Sequence, residues 1–176
     1  LVHEGGYLPF SVDVTENLFI DKENELIVKV KDKLSKDYPY GKQCKKREGM
    51  WYTPVSGIWQ TVWMESLPKN YIKSLKINPD MKGINLEVDT DSKEYKVEIN
   101  LGDYIHSIIS TNKKVRIDLG EIILPSGEKH EPILWTNNNP YLYEFKIISG
   151  EDEVESYFAL RTVTIKKIND IERICL

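Results

Sequence analysis

Apolar and polar residues alternate with period two in short runs along most of this chain. That spacing puts successive side chains on opposite faces, so it demands half-buried strands and leaves no stripe for an amphipathic helix. Leu26, Val28 and Val30 share one face, with Lys29 and Lys31 on the other. In 58–65, Ile58, Val62 and Met64 point one way and Trp59, Thr61 and Trp63 the other. Both of those faces carry large residues, so this strand is expected to be covered on both sides. Further runs fall at 75–77, 84–88, 95–101, 115–119, 142–148 and 157–165. Turn formers separate them, among them Asn78-Pro79-Asp80, Asp89-Thr90-Asp91-Ser92, Pro125-Ser126-Gly127 and Ser149-Gly150. The rhythm predicts an all-β chain built on a β-sandwich. Only 15–19 offers a helical turn, with Thr15 as its N-cap.

Pro68 marks a boundary, because proline is poor inside a central strand and a new alternating run begins at Tyr71. The stretch that follows holds about seven strands, the number in an immunoglobulin-like sandwich. The stretch before it holds about four, too few to close a sandwich of their own. It is expected to belong to a larger domain or to pair with another chain.

The formal net charge of −4 argues against nucleic acid as a partner. No run approaches the ~20 apolar residues that span a bilayer, so no membrane partner is expected. No signal pattern opens the chain, and Leu1 reads as a start in mid-protein. Cys44 and Cys175 are far apart and read as free thiols of a reducing compartment, which favours the cytoplasm; the alternative is a bridge between them. His3, His106 and His130 have no second histidine or cysteine at metal-ligand spacing, so no metal or other cofactor is expected. Nucleophile-elbow and phosphate-loop motifs are missing as well.

Three of the four tryptophans fall in the segment Gly49-Met50-Trp51-Tyr52-Thr53-Pro54-Val55-Ser56-Gly57-Ile58-Trp59-Gln60-Thr61-Val62-Trp63. This segment, with His3-Glu4-Gly5-Gly6-Tyr7 and Asp13-Val14-Thr15 upstream, resembles glycoside hydrolase family 2, the β-galactosidase, β-glucuronidase and β-mannosidase relatives. Trp135 with Asn139-Pro140-Tyr141-Leu142-Tyr143 is similar to the family's sandwich signature. Phe158-Ala159-Leu160-Arg161 is similar to another run, with Ala159 in place of glycine. The segment from Ile171 looks like the lead-in to a hairpin before the catalytic barrel.

The resemblance implies that 1–67 is the C-terminal half of a jelly-roll domain and 68–167 an immunoglobulin-like sandwich. It implies that 168–176 leads into a barrel. Retaining glycosidases use two carboxyl groups about 5–5.5 Å apart, and in this family both lie on the barrel. No catalytic residue is therefore assigned here. Asn24-Glu25 mimics the dipeptide around the family's acid/base, but it sits in a turn before a strand. The long loop from Lys31 to Tyr52 is the candidate for contact with sugar: Asp37 for hydroxyls, Trp51 and Tyr52 for stacking on a pyranose face. The alternative is that Trp51 and Tyr52 pack a core or a domain interface. Trp59 and Trp63 are expected in the core. Arg161 either pairs with a carboxylate facing the barrel or is solvated.

The chain thus reads as non-catalytic accessory domains of a retaining β-glycosidase. Its expected partners are the catalytic barrel of the parent chain and the parent's carbohydrate substrate, and it is expected to be inactive alone. The competing readings are a stand-alone glycan- or protein-binding sandwich, and a structural piece whose strand edges a second copy completes as a homo-oligomer.

Overall fold

A computed structural model describes residues 1–175. The chain is all-β and divides after Met64 into two units.

From Glu65 onwards seven strands form a sandwich: β1 (Ile72–Pro79), β2 (Gly83–Thr90), β3 (Tyr95–Asn100), β4 (Ile105–Ser110), β5 (Lys114–Asp118), β6 (Tyr143–Ser149) and β7 (Asp152–Phe158). One sheet runs β1-β2-β5 and the other β4-β3-β6-β7, every pairing antiparallel. In the constant-type immunoglobulin fold the fourth strand joins the sheet of the first, second and fifth. Here β4 pairs with β3 instead.

Alternation explains why the two sheets face each other. Ile84, Leu86 and Val88 of β2 are buried, as are Tyr95, Val97 and Ile99 of β3 and Tyr143, Phe145 and Ile147 of β6. These residues form one core with Ile117, Leu119, Ile122, Phe158 and Leu160. Each fully buried aliphatic side chain contributes about 1.5–3 kcal/mol. Two polar contacts tie the sheets at one end. The hydroxyls of Thr90 and Ser149 lie 2.8 Å apart, and the Ile72 amide donates to Asp152 Oδ2 at 2.7 Å. At the β1–β2 turn, Asp80 accepts from the amides of Lys82 and Gly83 and takes a two-pronged contact from Arg116 on β5.

Strand β4 was not foreseen in the alternation, because its apolar residues occupy both faces. Ile105 and Ile109 are exposed, while Ile108 packs against the core. The run expected at 157–165 is displaced: β7 starts at Asp152 and ends at Phe158, and a glutamate-rich strand hides from an apolar pattern. Past the sandwich, β8 (Thr164–Ile168) and β9 (Ile171–Cys175) make a separate two-stranded hairpin. Asn169 and Asp170 both take positive φ there, as a two-residue primed turn requires.

Residues 1–64 contain no buried side chain. The strands expected at 25–31 and 58–65 are not formed; the only bridge in this unit joins Gln43 and Tyr52. A strand needs a neighbour for its backbone amides and carbonyls, and neither run has one here. Trp59 and Trp63, expected in the core, are 72% and 70% exposed for the same reason. A single 3-10 turn covers Thr15–Asn17. Thr15 does not cap it; Asp13 Oδ1 accepts from the Thr15 amide at 2.9 Å instead.

Candidate functional site

Within 1–64 the long loop has a definite fold of its own. The Tyr52 amide donates to the Lys42 carbonyl at 2.8 Å, and the Cys44 amide donates to the Tyr52 carbonyl at 3.2 Å. Gln43 braces this crossing from both ends of its amide. Its Nε2 donates to the Tyr40 carbonyl at 3.1 Å, and its Oε1 accepts from the Val55 amide at 2.7 Å. The chain reverses at 48–51, where Gly49 has φ +56 and Trp51 N–H reaches the Glu48 carbonyl. A side chain at Gly49 would be strained in that conformation.

These bonds carry Trp51 and Tyr52 back beside Lys42 and Cys44, with the rings 45% and 64% exposed. Neither aromatic residue packs a core within this chain. Asp37 is held locally: its Oδ2 accepts from Ser35 Oγ at 2.9 Å. Among the described residues no hydrogen bond joins Asp37 to Trp51 or Tyr52. The loop therefore brings Trp51 and Tyr52 back to Lys42, with a carboxylate elsewhere along it. The sequence places Gln43 in this loop but does not show its bracing role. Its partners lie up to twelve residues away, a separation no local pattern reveals.

Asn24 is used up structurally. Its amide donates to the carbonyls of Phe19 and Lys22 and accepts from the Phe19 amide, closing the turn around Asp21. That accounts for the Asn24-Glu25 dipeptide without catalysis. Trp59 Nε1 donates to the Gly6 carbonyl at 3.0 Å, linking the two ends of the unit.

In the sandwich, Trp135 and Arg161 come together. The Trp135 amide donates to the Leu160 carbonyl at 3.0 Å, next to a bridge between Leu134 and Leu160. This places the Arg161 guanidinium 4.8 Å from the Trp135 ring centroid, a cation–π contact. Arg161 makes no ion pair among the described residues, so its donors stay available to an anion. The turn Thr136–Asn139 closes on itself through paired backbone bonds and leads into Tyr141, whose ring meets Tyr143 edge-on.

Tyr143 anchors this region. Its hydroxyl accepts from the Ile133 amide at 2.7 Å and lies 3.2 Å from His130 Nε2. An aromatic hydroxyl at the start of the sixth strand that reaches back to upstream backbone is the device of the immunoglobulin tyrosine corner. Burial raises the Tyr143 hydroxyl's pKa and lowers that of His130. Which of the two groups donates depends on the imidazole tautomer. Among the described residues no three histidine, cysteine, aspartate or glutamate side chains gather as a metal-holding group.

The family model for glycosyl hydrolases family 2 matches residues 70–161, the sandwich just described. A β-galactosidase of Thermoanaerobacter pseudethanolicus is 26% identical over 172 residues, covering 91% of this chain and 22% of that protein. The chain spans about a fifth of the length of the curated relatives it matches. Among solved structures, a Ruminococcus gnavus β-glucuronidase aligns over 57% of this chain and 16% of its own, at 19% identity and a TM-score of 0.42. A Faecalibacterium prausnitzii β-glucuronidase aligns over 61% and 17%, at 22% identity and a TM-score of 0.42. The family match covers more than half of the sequence, over strands that fold as a sandwich of their own, and the chain belongs to the glycosyl hydrolases family 2.

Proposed function

We propose that this chain supplies non-catalytic accessory domains to a retaining β-glycosidase. Residues 1–67 would be the C-terminal half of a jelly-roll, 68–167 the immunoglobulin-like spacer, and 168–176 the lead-in to a catalytic barrel. The observation that carries this reading is the family match over a self-contained sandwich, in a chain that spans about a fifth of a β-galactosidase relative. The exposed apolar residues of 1–64 support it too, since Tyr7, Leu26, Trp59 and Trp63 need a covering surface. The barrel of the parent chain is the proposed cover, and Arg161 on Trp135 the proposed contact for a carboxylate facing the sandwich.

The loop with Asp37, Trp51 and Tyr52 is proposed to edge the sugar site of that barrel. The expected result is that pure 1–176 does not turn over aryl β-galactosides or β-glucuronides. Measurable release of the aryl alcohol by the pure chain would sink the accessory reading. The two neighbouring exposed rings also favour a second reading, a glycan-binding module that works without a barrel. Calorimetric sugar binding that Trp51→Ala removes would select it.

A further inference from the structure

Each sheet of the sandwich ends in two edge strands, β1 and β5 in one and β4 and β7 in the other. An edge strand leaves a row of amides and carbonyls unpaired, and it pairs with another chain unless something on it prevents this. Three of the four edges carry such a guard. Antiparallel self-pairing centred on β7 sets Glu155 against its own copy, and centred on β5 it sets Arg116 against its own copy. Like charges directly opposite each other in a sheet destabilise the pairing. Strand β1 carries Lys73 and Lys76 and ends at Pro79, which has no N–H to offer.

Strand β4 has no guard. Its run Ile105-His106-Ser107-Ile108-Ile109-Ser110 includes no acidic residue, lysine, arginine or proline, in a chain that is 30% charged. It pairs with β3 alone, and among the described residues no backbone hydrogen bond reaches its other edge. Ile105 and Ile109 are 58% and 68% exposed on its outer face, with Ser107 between them. Ile108 packs against the core yet stays half-buried at the rim. Unlike residues 1–64, this strand belongs to a unit with a core of its own. The run also suits itself. Paired residues of antiparallel strands lie on the same face of a sheet. A two-fold axis through Ser107 therefore sets Ser107 opposite its own copy, Ile105 opposite Ile109 and His106 opposite Ile108. Each exposed isoleucine gains an isoleucine partner, with Cβ atoms about 4.5–5.5 Å apart, and no carboxylate, lysine or arginine meets its like.

We propose that β4 is the interface of a homodimer, in which two copies of this chain join edge to edge, antiparallel about Ser107, and fuse their four-stranded sheets into one. This goes beyond the accessory reading and does not depend on it. One short strand a side makes a small interface, of the class of weak and reversible contacts. Sedimentation equilibrium of the full chain tests it, and a monomer–dimer equilibrium is expected over about 10–500 µM protein. Ile105→Lys and Ile109→Glu, each alone, are expected to weaken the dimer at least about fivefold, since a charge on an edge strand blocks pairing. I105K/I109E is expected to recover most of that loss, because the axis brings the opposite charges together. Both positions are exposed, and an unchanged far-ultraviolet circular dichroism spectrum shows that each variant is folded.

A chain that stays monomeric throughout that range would overturn the proposal. So would a dimer or larger aggregate that Ile105→Lys leaves intact, which assigns association to another surface. Single variants that weaken the dimer without recovery in the double variant would overturn it too, because the pairing about Ser107 requires the recovery. Turnover of aryl glycosides bears on the accessory reading only, so the two failures are distinguishable.

Discussion

Tyr143 shows what a single side chain decides in this molecule. It is fully buried, and its hydroxyl is the partner of the Ile133 amide. Tyr143→Phe keeps the ring and strands that amide, a loss of about 1–3 kcal/mol. It should appear as a lower urea midpoint with an unchanged slope. An unchanged midpoint would mean that water satisfies the amide. His130 and His106 both have pKa values lowered by burial from the usual histidine value of about 6.5. Their folded values lie below their unfolded ones, so the unfolded chain binds more protons as pH falls. Stability is therefore constant above about pH 6.5 on their account and is lost as pH drops through the folded values. Replacing both with glutamine should flatten the stability profile below about pH 6.5; an unchanged profile there would refute the assignment. The core residues of β2, β3 and β6 were legible in the alternation. The hydroxyl's partners were not, because they come from a loop ten or more residues upstream.

At the scale of elements, the three-stranded sheet is pinned at its first turn. A Cβ on Gly83 would be driven into the Ile117 carbonyl oxygen and come within 2.9 Å of Asp118 Cα, both backbone of β5. Gly83→Ala must shift a paired strand and is expected to cost about 1–3 kcal/mol, read from thermal or urea unfolding. Next to it, Arg116 holds the Asp80 carboxylate well below the usual range, helped by the Lys82 amide. The depressed value means a contribution present above about pH 4 and lost as pH falls further. Both groups are partly exposed, so Arg116→Lys, which breaks the two-pronged geometry, should cost only about 0.5–1 kcal/mol. Strands β2, β3, β5 and β6 could be read from the sequence because one face of each is mostly apolar. Strand β4 has isoleucines on both faces and β7 has glutamates along its outer one, so pairing rather than pattern defines them.

At the scale of the whole molecule, the two units differ in what holds them. The sandwich has one continuous core, whereas residues 1–64 rely on turns, one bridge and side-chain braces such as Gln43. Local opening should therefore cost far less in the first unit. Brief trypsin digestion is expected to cut at Lys45, Lys46 or Arg47 before any site inside β1 to β7, as mass spectrometry of the fragments would show. Early cuts in the sandwich with the loop intact would contradict this picture.

The sequence by itself determined the all-β class, the inward faces of the strongest strands and the family, since period-two patterning and the family match over 70–161 are properties of the sequence. Tertiary structure decided which runs became strands at all. Alternation specifies a face, but a strand exists only where another chain segment takes its hydrogen bonds. The runs at 25–31 and 58–65 alternate as well as several in the sandwich, and among the described residues they find no such segment. The same reason separates Trp51 and Tyr52, legible as candidate rings, from the crossing of Lys42, Cys44 and Tyr52 that folds the loop back on itself.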